Sequence, residues 1–544
     1  MSHHRARRVI GAVAAVTAAA LIVTGCSGAS DDTEDKTLYV LTSATEVGFD
    51  PATAVDLPTT WLGLVGRRLT TWKVSEGGVP EVVPDLATDT GTVSDDGLTW
   101  TYTLKDGITY EDGTPITSAD IKYGVERTYA PELAGGLTYH VGLIEGDSDY
   151  TGPYDGDELS GIETPDDKTI IFHLTTPYGD WPWITAMNPF IPVPEDKDDP
   201  ATYGTDPVAS GPYEVESNKA GGETVLVRNP EWSADTDDVR TIDADKIVFT
   251  QNQNLTTTTQ SLIADLGDAR NSINSDPLSA TELALVDADP SASDRLIRSD
   301  GGLLNYLALN VDRDALKDVK VRQAVEYAID RKSLVIAAGG DEAAAAATTL
   351  IDPGLPGHTD FDLYPTDVDK AKSLLTEAGY PDGVTLELWA STSDSDQAQA
   401  QAIQQSLAQA NITVNIHPLD FATMYGDVMG GNPDYDLLLS WFTPDYASAS
   451  SLQLRYDTSM IDGGSNFSRY SNPDVDDLMA QAIAESDPDA AAGLWSQAEK
   501  QILGDAVTVP LFYTRSAFLE GSNVTAEVPA YPSFQNYLTI QLDE

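Results

Sequence analysis

Two hydrophobic periods take turns along this chain, and the switches between them mark its elements. Alternation of period two over Thr37 to Thr42 predicts a strand, as does the run in which Trp100, Tyr102 and Leu104 alternate with Thr101, Thr103 and Lys105. The stretch "DPATAVDLPTTW" (50–61) reads as a loop leading into an apolar helix. Asp112-Gly113 marks a tight turn, and Thr117 with Asp120 three positions later has the form of an N-cap and its reciprocal partner. A helix is predicted to start there, with Ile121, Val125 and Thr128 on one face. Residues 210–232 predict two strands around a Gly-rich turn, and "LLNYLALNV" (303–311) predicts another strand.

Period 3.6 then takes over. "DVKVRQAVEYAIDRKSLV" (318–335) predicts one helix burying Val321, Ala324, Val325, Ala328 and Ile329. A second, from about Asp367 to Ala378, buries Ala371, Leu374 and Leu375 and stops at Gly379, the usual residue after a helix end. "VTLELWAS" (384–391), a Gln/Ala-rich helix to about Gln409 and "ITVNIHPL" (412–419) form a strand-helix-strand unit, which implies parallel strands and an α/β sheet. "YDLLLSWF" (435–442) is a further apolar strand that leads out into "TPDYASAS".

The N-terminus follows neither period. Arg5, Arg7 and Arg8 precede an apolar run from Val9 to Val23, which has the layout of a signal peptide. The run falls short of the about 20 residues a membrane span needs. Val23-Thr24-Gly25-Cys26 resembles a bacterial lipobox, so residues 1–25 are expected to be cleaved and Cys26 lipidated, with 26–36 as a flexible tether. The plainer alternative is a solitary buried thiol. Arg7-Arg8 leaves both the general secretory and the twin-arginine export routes open.

Cys26 is the only cysteine, so no disulfide shapes the exported part. Without the leader 519 residues remain, enough for two or more lobes with their own cores. The formal charge of −56 becomes −59, which excludes nucleic acid and anionic headgroups as partners and favours cations at a distance. The acids are scattered through surface-like stretches, so the charge reads mainly as solubility.

Catalytic and metal chemistry is weakly signalled. His140, His173, His358 and His417 are widely separated and share no metal-ligand spacing, so neither a metal nor another cofactor is expected. His173 lies in the alternating stretch "TIIFHLT", where a structural imidazole is the expectation. No nucleophile elbow, zincin, P-loop or dinucleotide motif occurs. Any two of 87 acids could be nominated as a glycosidase dyad, which leaves a surface-anchored hydrolase as the competing class without specific support.

Four blocks carry a family likeness. "LKDGITYEDGTPITSADIKYGVERTY" (104–129), "GPYEVESNKAGGETVLVRNPEW" (211–232), "VRQAVEYAIDRKSLV" (321–335) and "AKSLLTEAGYPDG" (371–383) resemble, in order, blocks of the family 5 solute-binding proteins of bacterial ABC importers, the oligopeptide, dipeptide and nickel-binding group. The resemblance covers essentially residues 37–544. It implies a periplasmic-binding-protein-like α/β fold of two lobes and a hinge, the larger lobe carrying an extra subdomain. Lobe I would hold 37–300 plus 511–544, with the subdomain at about 71–165, and lobe II 301–510. It further implies a non-catalytic receptor, expected to be monomeric, fastened to the outer face of the cell membrane. Such a receptor delivers a peptide, or else a metal chelate, oligosaccharide or other small solute, to permease subunits.

The resemblance also points to site residues. In the family's oligopeptide members an Asp soon after a strand-end Trp holds the peptide's amine, and "SWFTPDY" places Trp441 and Asp445 there. Thr443-Pro444 lengthens the usual spacing by one residue, so the register stays open and Asp445 is equally readable as a turn acid. Trp441 is expected to be a cleft wall, with core the alternative. Ser440, Phe442 and Tyr446 lie around it, and Phe421 falls where relatives place a second aromatic wall, though alone it reads as a core residue. Backbone pairing with the peptide would come from Val55, Asp56 and Leu57 on one lobe and Ser440 to Phe442 on the other.

Overall fold

Three larger sheets organise the chain. The computed structural model describes residues 36–543 apart from 75–78, 300, 432–433 and 463. The signal peptide, Cys26 and all of the tether but Lys36 lie outside the described residues. The first sheet has five strands in the order Ser272–Asn274, Thr37–Leu41, Lys246–Thr250, Glu223–Arg228 and Tyr213–Asn218. Thr37–Leu41 runs parallel to both neighbours, and its alternation buries Leu38 and Val40. The 213–228 hairpin is antiparallel, as its Gly-rich turn predicts. Tyr537, Leu538 and Ile540 bring the C-terminal end of the chain into this sheet's core.

The second sheet has six strands, Ala344–Ala346, Thr508–Thr514, Leu304–Leu309, Leu437–Phe442, Val384–Ser391 and Ile412–Leu419. Val384–Ser391 and Ile412–Leu419 are parallel, joined through the helix Asp394–Ala408. Leu304–Leu309 is buried at every position because its two faces enter different cores. Leu307 and Leu309 pack under the helices, with Val321, Val325 and Ile403. Leu304, Tyr306 and Ala308 join a cluster that continues to Trp100 and Phe172. Those two belong to the third sheet, four antiparallel strands in the order Thr92–Val93, Thr99–Thr103, Thr169–His173 and Ile162–Asp166. The helix Ser118–Arg127 packs against it and starts with the predicted Thr117–Asp120 capping box.

One helix differs from expectation. Residues 318–335 form two helices, Val319–Ala328 and Arg331–Ala337, because Ile329 turns extended and the Asp330 side chain accepts from Lys332 N, capping a new start. Ser406 bridges the break, its hydroxyl donating to Ala328 O (2.9 Å) and accepting from Asp330 N (2.7 Å). No helix among the described residues is long and apolar enough to cross a membrane.

Two stretches link the first and second sheets side by side. Leu296–Arg298 pairs antiparallel with Ala517–Leu519. Just beyond lies Gly302, at φ +148°, where a Cβ would come 2.5 Å from Thr514 O, so only glycine fits. The Asp352 carboxylate holds this turn, accepting from Gly302 N (3.0 Å) and Gly354 N (2.7 Å).

A buried charge network ties the 62–86 region to the 236–240 loop. Asp85 accepts from Arg67 Nε (2.7 Å) and Arg240 Nη2 (2.9 Å), and Asp237 accepts from Arg240 Nη1 (3.0 Å). Burial alone would raise the Asp85 pKa, but Arg240 and Arg67 hold it below the usual carboxylate value, and Asp237 is lowered in the same way. Removing one partner strands the others, so Asp85→Asn should cost about 3–5 kcal/mol in denaturant unfolding at pH 7. Carboxyls lowered in the folded state contribute fully above the unfolded value near 3.9 and lose that contribution as pH falls through the lowered one. The gap between variant and wild type should therefore narrow at pH 3.

Candidate functional site

The site begins with a strand that is interior at one end and open at the other. Leu437–Phe442 pairs along its whole length with Leu304–Leu309. Its other neighbour, Val384–Ser391, pairs with it only at Leu388↔Leu437 and Trp389↔Leu438. From Leu439 to Phe442 that edge carries no ladder among the described residues. Leu437 to Leu439 are buried, whereas Trp441 is 47% exposed.

A cavity of about 260 Å³ lies beside this end, lined by Ser440, Trp441, Phe421, Tyr425, Phe467 and Arg455 among others. Phe421 and Tyr425 sit one turn apart on the helix Phe421–Met429, which Asp420 caps by accepting from Thr423 N. Their rings stack at 5.6 Å, and Tyr425 meets Phe467 edge-on at 5.7 Å. Phe421, Tyr425 and Trp441 are 45%, 39% and 47% exposed, so three large aromatic rings face one concavity instead of a core. Such a gathering marks a binding surface.

Arg455, from the helix Ser451–Tyr456, closes this wall. Its guanidinium carbon lies 3.4 Å from the Phe442 ring centroid, and Nη1 donates to Tyr306 Oη at 2.6 Å. Phe442 is thus partly covered, and its far side lines a small enclosed gap with Pro444 and Asp352.

Asp445 and Tyr446 meet a different segment. The Tyr139 hydroxyl donates to Asp445 Oδ2, and burial together with that carboxylate pushes the Tyr139 phenol pKa up. Asp445 Oδ1 makes no hydrogen bond among the described residues. Tyr446 is buried, its hydroxyl shared with Tyr178 Oη (2.8 Å) and Ser450 Oγ (2.9 Å), and its ring stacks on Trp183. Ser448 Oγ donates to Asp180 Oδ2 at 2.6 Å, and Gly179 N donates to Ile483 O at 2.6 Å. Residues 139–183 and 445–483, far apart in sequence, are therefore joined by polar contacts as well as by rings.

Val55, Asp56 and Leu57 make no hydrogen bond to 440–446 among the described residues, though Leu57 packs against the same hydrophobic cluster as Tyr446. Val55 is 63% exposed. The carbonyls of Ala54 and Asp56 accept from Asn188 Nδ2, whose Oδ1 in turn accepts from buried Arg68 (2.6 Å). Burial pushes the Asp56 carboxyl up to about 6 against the pull of Arg68, and burial brings Arg68 down to about 9.

The structure thus brings Ser440, Trp441 and Phe421 to one cavity, sets Phe442 against Arg455, and joins Asp445 and Tyr446 to Tyr139 and Tyr178. Sequence reading missed Arg455, Tyr425, Tyr139, Tyr178 and Asp180. For Arg455 a signal existed, a cation fourteen positions past Trp441 in a strongly acidic chain. The tyrosines had none, since 23 are spread through the sequence. His173 bonds Glu163 at 2.9 Å, His417 bonds Glu387, and buried His140 meets Thr128 Oγ1 at 2.7 Å. No cluster of three or more His, Cys, Asp or Glu suited to a metal occurs among the described residues.

Fold and site together define a two-lobed α/β binding protein of the periplasmic-binding type. The family model for bacterial extracellular solute-binding proteins, family 5, matches residues 81–463, and the chain belongs to that family. It is the substrate-binding protein of an ABC importer, which acts with membrane permease subunits on a small solute. The chain is similar to the glutathione-binding protein GsiB of Salmonella paratyphi A, 26% identical over 449 residues, covering 80% of this chain and 81% of that one. Among solved structures it is similar to the clavulanic acid biosynthesis oligopeptide binding protein 2, at 31% identity and TM-score 0.83 over 93% of this chain and 95% of the other. The periplasmic binding protein DppA of Helicobacter pylori, solved with the peptide STSA, shares the fold at 22% identity and TM-score 0.67, covering 93% and 98%.

Ser448→Ala removes a donor from the Asp180 carboxylate in a shielded contact. It should lower stability by about 1–3 kcal/mol, read by denaturant unfolding at pH 7, while Ser459→Ala on an exposed turn should change it by less than about 0.5 kcal/mol.

Proposed function

We propose that this protein is a lipid-anchored receptor on the outer face of the cell membrane that captures oligopeptides or dipeptides between two lobes and hands them to its permease. The observation that carries the reading is the open edge of Leu437–Phe442 beside the aromatic cavity. An extended peptide laid along that edge gains main-chain hydrogen bonds whatever its sequence, and the cavity takes one side chain without demanding one shape. Asp445, oriented by the Tyr139 hydroxyl through one oxygen, would use the other for the peptide's ammonium. The solved relative at 31% identity is named for oligopeptides, which supports a peptide over other small solutes.

In this reading lobe I comprises 37–300 with the C-terminal return and the subdomain near 71–165, and lobe II follows from 301. The paired crossings Leu296–Arg298 and Ala517–Leu519 would act as the hinge, and binding would shift the population toward the closed form. The protein works by enclosure, without turnover.

Saturable peptide binding with no product formed is the expected result of incubation with a peptide mixture, and steady consumption of peptide would contradict it. Asp445→Asn should weaken a free-amine peptide about tenfold or more while changing its N-acetyl form little, measured by calorimetry. Equal losses for the two would reject the amine-anchor role. Cys26→Ala should move the protein from the membrane fraction into the medium, and retention at wild-type level would contradict the anchor.

A further inference from the structure

Arg455 is the cation of the aromatic cavity, and no carboxylate among the described residues pairs with it. The chain has 87 acidic residues against 31 lysines and arginines, and its buried arginines are mostly paired, as Arg67 and Arg240 are with Asp85, Arg127 with Asp50, and Arg331 with Glu326. Arginines without such a pair use carbonyl oxygens instead. Arg322 donates to Asp505 O and Leu316 O, and Arg68 to Gly66 O and the Asn188 side chain. Arg455 does neither. Its one hydrogen bond is from Nη1 to the Tyr306 hydroxyl at 2.6 Å; Nε is buried with no acceptor, and Nη2 makes no hydrogen bond among the described residues.

The geometry fixes which edge is free. Nη1 is held by Tyr306, the guanidinium carbon sits 3.4 Å from the Phe442 centroid and Nε is shielded, so Nη2 remains as the donor open to a partner. A charged donor of that kind suits a carboxylate oxygen, with which it forms a charge-assisted hydrogen bond. We infer that Arg455 binds a carboxylate of the captured solute through Nη2, while Trp441, Phe421 and Tyr425 hold the apolar group next to it. This inference rests on the peptide reading above and adds to it a preference for ligands with a carboxylate at this point.

Two features sharpen the preference. The protein's large negative charge repels anions at a distance, so a carboxylate needs a local cation to compensate. Arg455 is the one cation in the cavity lining, and the one acid there, Asp396, accepts from Ser391 Oγ at 2.5 Å and disfavours a second anionic group. The carboxylate can come from the peptide's C-terminus or from an Asp or Glu side chain, since the chemistry is the same.

The test uses two equimolar pools of tri- to pentapeptides, one with free C-termini and one amidated, each offered to the full-length protein and read by mass spectrometry of what it retains. Wild type should retain carboxylate-bearing peptides about 10- to 100-fold better than neutral amidated ones. Loss of retention on amidation assigns the carboxylate to the chain end, and retention of amidated Asp- or Glu-containing peptides assigns it to a side chain. Arg455→Gln should abolish the preference, and Arg455→Lys, which keeps the charge but not the planar guanidinium on Phe442, should keep part of it; thermal unfolding checks that both fold. Neutral amidated peptides retained as well as the acids, or a preference that survives Arg455→Gln, would overturn the assignment and leave peptide capture standing. No retention from either pool by wild type would reject peptide capture itself, and this inference with it.

Discussion

The proposed binding site depends on a ladder that stops early. Leu437–Phe442 is pinned along one side by Leu304–Leu309, yet its other neighbour leaves after Leu438, and the strand's last residues stand at an edge inside the protein. Unpaired backbone groups at an edge seek partners, which is normally a liability. Here the exposed stretch is short and bordered by Trp441 and the Phe421–Tyr425 stack, which suits the small, extended solute proposed above. The rigid side of the strand supplies precision. The open side supplies the vacancy.

Charge is arranged around the same economy of cations. Most arginines are fixed in local structure, as in the Asp85–Arg240–Asp237 network and in the Arg127 contacts with Asp50 and Asp198. Other shielded carboxylates are held by neutral donors, as Asp180 is by Ser448 and Asp352 by two backbone amides. Arg455, with only a phenol and a ring face, stands out against that background.

Much of the fold was legible because its elements carry strong local signals. The alternation at Trp100–Leu104, the Thr117–Asp120 box and the parallel unit of 384–419 follow from period and capping alone. The break at Ile329 was not legible as a break, since the helical pattern runs on through it; Asp330 carries a cap signal that reads as ordinary helix polarity until Ser406 is seen bridging the gap. At the site, resemblance marked Trp441, Ser440 and Phe421, which do meet at one cavity. It could not locate Tyr139 or Tyr178, because contacts across some 300 residues of sequence leave no periodic trace.

In the peptide reading the solute becomes an added strand on Leu439–Phe442. Amide hydrogen exchange of this segment, with and without a saturating peptide retained by the protein, tests it most directly. Exchange at Ser440 to Phe442 should slow strongly on binding, with the fully paired Leu304–Leu309 already slow in both states. Peptide bound at saturation with exchange unchanged over 439–442, and slowed elsewhere, would contradict it.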